Sequence, residues 1–134
     1  MKRVVFDTNV FVSAVLGGAL GELIDHWRAG KITLVVSDEI VREYFEVLRR
    51  PKFGLFTEDV EAIVGYVFRL GEFVTINEKI DIIKVDPKDN IFLEAALAGN
   101  ADCIISGDGH LLEQKEFRGV PILTARQYLE QLNR

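Results

Sequence analysis

Apolar and polar positions along this chain follow two rhythms. Short runs rich in β-branched residues occur at Arg3–Phe6, Thr33–Val36, Glu72–Thr75, Asp102–Ser106 and Pro121–Leu123, several of them continuously apolar, as strands covered on both faces require. Longer stretches between them place apolar residues every three or four positions, so helices fill the gaps. The alternation predicts an α/β fold with a central, mainly parallel sheet of about five strands flanked by helices.

Local signals set the helix ends. Ser37 can accept a bond from the free amides of a helix running from about Asp38 to Arg50, where Arg49-Arg50-Pro51 closes it. Thr57, Glu58 and Asp59 open a second helix, which ends near Leu70 with Gly71 as its stop. A third begins near Asp89 and ends by Gly99-Asn100, and a last one runs from about Thr124 to Leu132. Around Ala14–Gly30 the Gly17-Gly18 pair predicts one broken helix or two short ones.

The acids divide into two populations. Glu58, Glu61, Glu113 and Glu130 lie where a solvated helix face needs them. Asp7 and Asp108 instead follow strands, and Asp89 opens a helix, near the strand ends where open parallel sheets bind ligands. Glu43 falls about 40° from Val47, on the edge of the stripe formed by Ile40, Val41, Tyr44, Val47 and Leu48, where a carboxylate is partly desolvated. Each acid alone has a bland explanation as a cap or turn residue. Together, separated by 36, 46 and 19 residues, they predict a cluster whose mutual repulsion calls for a hard divalent cation. The chemistry such a cluster most often supports is hydrolysis of a phosphodiester, with a water as nucleophile, since no Ser–His or Cys–His arrangement competes. Crowding also predicts that Asp7→Asn raises the melting temperature when no ion is present.

Composition changes this picture little. A chain of 134 residues, 49% hydrophobic and 28% charged, is expected to form one domain over residues 1–134. Its 16 Lys and Arg against 21 Asp and Glu give a net charge of −5, which argues against a broad basic surface for nucleic acid but not against a cation-dependent site. The opening Met-Lys-Arg-Val-Val-Phe meets Asp7 too soon for a signal peptide, and no stretch could span a bilayer, so the protein is expected in the cytoplasm with no membrane partner. Cys103, the sole cysteine, reads as a buried strand residue, and His26 beside Trp27 as structural.

The stretches VVFDTNVFVSAVL, LVVSDEIVREYFEVLRRPKF, DPKDNIFLEAALAGNADCIISGDGHLL and FRGVPILTARQYL, in this order, resemble the successive motifs of the PIN-domain ribonucleases, most of all the VapC-type toxins of toxin–antitoxin pairs. The resemblance implies a three-layer PIN-like fold and an Mg²⁺- or Mn²⁺-dependent endoribonuclease. It puts the family's acids on Asp7, Glu43, Asp89 and Asp108. Thr8, Asn9 and Ser106 would orient carboxylates or substrate, and Asp86 and Asp102 match positions often acidic in relatives. It also implies RNA as substrate, a cognate antitoxin as partner and a homodimer. The sequence itself adds only the apolar series Val60, Ile63, Val64, Val67, Phe68 and Leu70 as a hint of a dimer surface.

One departure is visible. Many relatives carry a further acid two residues after the fourth, where this chain has His110, which reads as a loop histidine rather than a ligand. Phosphate contacts at the rim are expected from Arg42, Arg49, Arg50, Lys52 and Lys88, although the pair at 49 and 50 equally suits a helix C-terminus. Other classes fit less well. No P-loop or Rossmann glycine pattern is present, FDTN lacks the second acid of an aspartyl phosphatase, and a receiver domain would want a lysine where Arg126 stands. A catalytically silent binding module of the same fold is the alternative, against which stand the four intact acids.

Overall fold

The computed structural model describes all 134 residues. Strand β1 (Arg3–Phe6) leads directly into α1 (Thr8–Val15) and α2 (Gly21–Arg28), followed by β2 (Thr33–Val36), α3 (Asp38–Leu48), α4 (Thr57–Leu70) and β3 (Glu72–Phe73). The second part holds α5 (Asn90–Ala98), β4 (Cys103–Ile105), α6 (Gly109–Glu113), β5 (Glu116–Phe117), β6 (Val120–Leu123) and α7 (Ala125–Leu132). Single 3₁₀ turns at Pro51–Phe53 and Pro87–Asp89 complete the regular structure.

The sheet has the order β3-β2-β1-β4-β6-β5, parallel throughout except for the β5–β6 pair. From β1 the chain winds outward through β2 to β3, then returns to place β4 on the other side of β1. The order therefore reverses between β1 and β4, and the crevice beyond their carboxyl ends is the switch point of the sheet. Strands β1, β2 and β4 are almost fully buried, which explains their unbroken apolar runs. Seven helices flank the sheet and share with it one core, whose largest fully buried side chains include Phe6, Phe11, Tyr44, Phe92 and Tyr128.

Helix α5 approaches β2 closely: a Cβ on Gly99 would lie 2.6 Å from Val35 Cγ1, so only glycine fits at this helix end. Ser37 caps α3 by accepting from Ile40 N at 3.2 Å, as its position predicts. The Gly17-Gly18 pair separates α1 from α2, with Gly17 at a φ of +82°.

Three expectations change. The sheet has six strands rather than about five, because β5 is a two-residue strand turned back on β6 through Arg118 at φ +48° and Gly119 at φ +86°, too short to carry a readable alternation. His110 is not in a loop, since Gly109 opens α6 and His110 lies within it. Asp102 stands at the start of β4, where its carboxylate accepts from Lys2 N at 2.9 Å and Arg3 N at 2.8 Å. That is the amino end of the parallel strands, opposite to Asp7 and Asp108, so Asp102 fastens the first residues of the chain and has no part in the acid cluster.

Candidate active site

At the switch point the chain turns sharply after both central strands. Asp7 follows β1 and is 3% exposed; its Oδ1 accepts from Val10 N at 2.8 Å, capping α1. Its Oδ2 accepts from Ser106 Oγ at 2.5 Å and from Gly107 N at 3.1 Å. Ser106 in turn accepts from Asp108 N at 2.9 Å, so one buried hydroxyl ties the ends of β1 and β4 together. Asp108 caps α6, with its Oδ1 taking His110 N at 2.7 Å. The cap reading and the site reading of Asp7 and Asp108 are both correct, because each carboxylate does two jobs.

Helix α3 brings Glu43, half-buried, whose Oε2 accepts from Thr8 Oγ1 at 2.9 Å. Tyr44, next to it and absent from the sequence-based list, donates its hydroxyl to Phe6 O at 2.5 Å and stacks on Phe11 with ring centroids 4.0 Å apart. This anchors α3 on the end of β1. Its only sequence signal is a tyrosine within an apolar stripe.

From the third side come Asp86 and Asp89, which flank the Pro87–Asp89 turn before α5. One carboxylate oxygen from each of Asp86, Asp89 and Asp108 lies within 4.8 Å of the others. Asp89 is only 8% exposed, yet its Oδ2 has no hydrogen-bond partner. Asp7, Thr8, Asn9, Glu43, Asp86, Asp89 and Asp108 line one cavity, along with Arg50 and Lys88. Arg42 and Lys88 line the neighbouring groove beside Glu39 and Glu46. Arg49 and Lys52 instead lie over the rings of Phe45 and Phe53, at 5.0 and 5.1 Å, and do not line the cavity.

The electrostatics follow from this crowding. Burial, then the charges of Asp108, Asp86 and Asp7, push the Asp89 carboxyl up to about 7. Burial also raises Asp7, although bonds from Ser106, Val10 and Gly107 draw it back. Glu43 is raised by burial against the opposing pull of Thr8 and Lys88. The Cys103 thiol, pushed up to about 12 by burial, stays neutral and takes no part.

A mainly parallel α/β sheet with five carboxylates lining a cavity at its switch point is an arrangement compatible with divalent cations. The PIN domain family model matches residues 3–110, and the chain belongs to that family. PIN domains are generally nucleases that use divalent metals, and the acid cluster is compatible with that chemistry. Among solved structures the chain is similar to VapBC2 from Rickettsia felis bound to a DNA fragment from their promoter, at 12% identity and a TM-score of 0.58, covering 90% of this chain and 96% of that one. It is also similar to PAE2754 from Pyrobaculum aerophilum, at 11% identity and a TM-score of 0.66, covering 99% and 90%. Both likenesses are of fold. No curated protein matches the sequence.

Proposed function

We propose that this single-domain chain is an Mg²⁺- or Mn²⁺-dependent endoribonuclease, with Asp7, Glu43, Asp89 and Asp108 holding the ion or ions and Asp86 joining them. The observation that carries this reading is Asp89: its Oδ2 is buried without a partner, and its carboxylate lies within 4.8 Å of those of Asp86 and Asp108, a crowding that a bound cation would relieve. The donor set is all oxygen and its acids come from four separate segments, which suits a hard divalent ion. When bound, such an ion neutralises the carboxylates and polarises water and phosphate.

The chain's own residues supply the rest. Ser106 and Thr8 hold Asp7 and Glu43 in fixed orientations, Asn9 stands exposed at the cavity wall, and Arg50 and Lys88 offer positive charge to a phosphate entering the cavity. RNA is the substrate of this reading. A cytoplasmic protein paired with an antitoxin, as the toxin of a type II toxin–antitoxin system, is the setting supported by the fold likeness to a VapBC2 complex and by the absence of any helix long and apolar enough to cross a membrane. A homodimer has weaker support: of the apolar α4 series, Val60 and Val67 belong to the core, while Phe68 and Leu70 are exposed.

The test is RNA hydrolysis with and without Mn²⁺, comparing the wild type with Asp7→Asn. Equal rates in the two proteins would sink the mechanism. Melting in Mn²⁺ and in EDTA adds a second readout, because an ion that binds only the folded chain must raise the melting temperature.

A further inference from the structure

Residues 74–86 carry no helix or strand, yet they deliver Asp86 to the cavity. A segment of that length needs a fastener, or its end would wander. The fastener is the first turn of α5. Asn90 is 4% exposed and uses its whole hydrogen-bonding capacity on this segment: Oδ1 accepts from Ile82 N at 3.1 Å and Ile83 N at 3.0 Å, while Nδ2 donates to Ile83 O at 2.9 Å and Pro87 O at 3.0 Å. Four residues on, along the same helix edge, the buried Glu94 accepts from Ile80 N at 2.9 Å. The acceptors and donors on Asn90 bracket Asp86 in sequence, with residues 82 and 83 before it and Pro87 after it.

We infer that Asn90 is a positioning residue for the cation site: it pins the chain on both sides of Asp86 and so sets that carboxylate against Asp89 and Asp108. Asn90 and Glu94 are the two polar residues that α5 buries among Phe92, Leu93, Ala95 and Ala96, and both are bonded to residues 80–87. Asn90 touches no substrate and acts through Asp86. This inference rests on reading the acid cavity as a cation site.

The experiment is a double-mutant cycle on Mn²⁺ affinity, measured by calorimetry with Mn²⁺ alone as ligand, in wild type, Asn90→Ala, Asp86→Asn and the double variant. Asn90→Ala is expected to weaken binding roughly 10–100-fold, the usual effect of losing a partner that orients a ligand. The same change in the Asp86→Asn background is expected to add less than about threefold, because the two residues act as one unit. Wild-type affinity in Asn90→Ala, or losses that multiply independently, would overturn the inference while leaving the cation site standing. Absence of Mn²⁺ binding by the wild type would overturn the site reading itself. Should Asn90→Ala fail to fold, hydrogen exchange of the wild type decides: Mn²⁺ is expected to protect the Ile82 and Ile83 amides about tenfold more than those of α7, and equal protection overturns the proposal.

Discussion

The two walls of the acid cavity are built on opposite principles. On the strand wall, both oxygens of Asp7 are bonded, Asp108 caps α6, and Ser106 joins the two, so the carboxylates are locked by the fold they help to hold. On the α5 wall, Asp89 keeps a buried oxygen without a partner, and Asp86 ends an irregular segment held by Asn90. One wall has its carboxylates tied by hydrogen bonds and the other keeps a buried oxygen unpaired among like charges. Local hydrogen bonds thus favour the first wall while charge repulsion burdens the second.

The largest effects should come from removing one carboxylate on either wall. Asp7→Asn and Asp89→Asn are each expected to lower Mn²⁺-dependent RNA hydrolysis by about a hundredfold or more, beyond the roughly 10–100-fold typical of outer partners. Melting in EDTA separates them. Asp89→Asn should melt higher, because it removes an unpartnered buried charge. Asp7→Asn should melt lower, by about 2–8 °C, because an amide cannot accept from Val10, Ser106 and Gly107 in the same geometry. Crowding alone suggests the opposite sign for Asp7, and its cap is the reason the strand wall departs from that expectation. Shifts of the same sign in both variants would break the comparison.

Ser106→Ala comes next. It leaves Asp7 Oδ2 short of a donor and Asp108 N short of an acceptor, so a loss of about 1–3 kcal/mol should accompany weaker Mn²⁺ binding, read by denaturant unfolding and calorimetry. The pH dependence is smaller. Folding raises the Asp89 carboxyl from its usual 3.8 to about 7, so the ion-free folded state binds a proton that the unfolded chain has released. Stability contributed by this group is therefore intact below about 4 and lost as pH rises through about 7. In EDTA the melting temperature of Asp89→Asn should pull further above wild type across that window, and Mn²⁺ should close the gap; a constant gap would contradict the assignment. The smallest effect is Thr8→Val, expected to weaken Mn²⁺ binding about threefold through loss of one hydrogen bond to the half-buried Glu43.

Much of the scaffold was legible because burial on two faces and helical periodicity leave their mark in every residue of an element. β1 and β2 run over the residues their apolar runs predict, and the Ser37 cap is where its residue type puts it. β5 and α6 were not legible, since Glu116-Phe117 forms no apolar run and Gly109–Glu113 is too short to show a helical period. Asp102 shows the limit in the other direction: an acid beside a strand was readable, but the end of the strand it occupied decided its role.

By itself the sequence determined most of the strands and helices, three acids at element ends and Glu43 on the edge of a helix stripe, because these follow from local pattern and from the chemistry of a charge beside an apolar run. Only the tertiary structure decided that β4 lies next to β1, that Asp86 joins the cavity, and that Tyr44 and Asn90 hold its walls. These depend on residues tens of positions apart meeting through single hydrogen bonds, and no local rhythm in the chain records such a meeting.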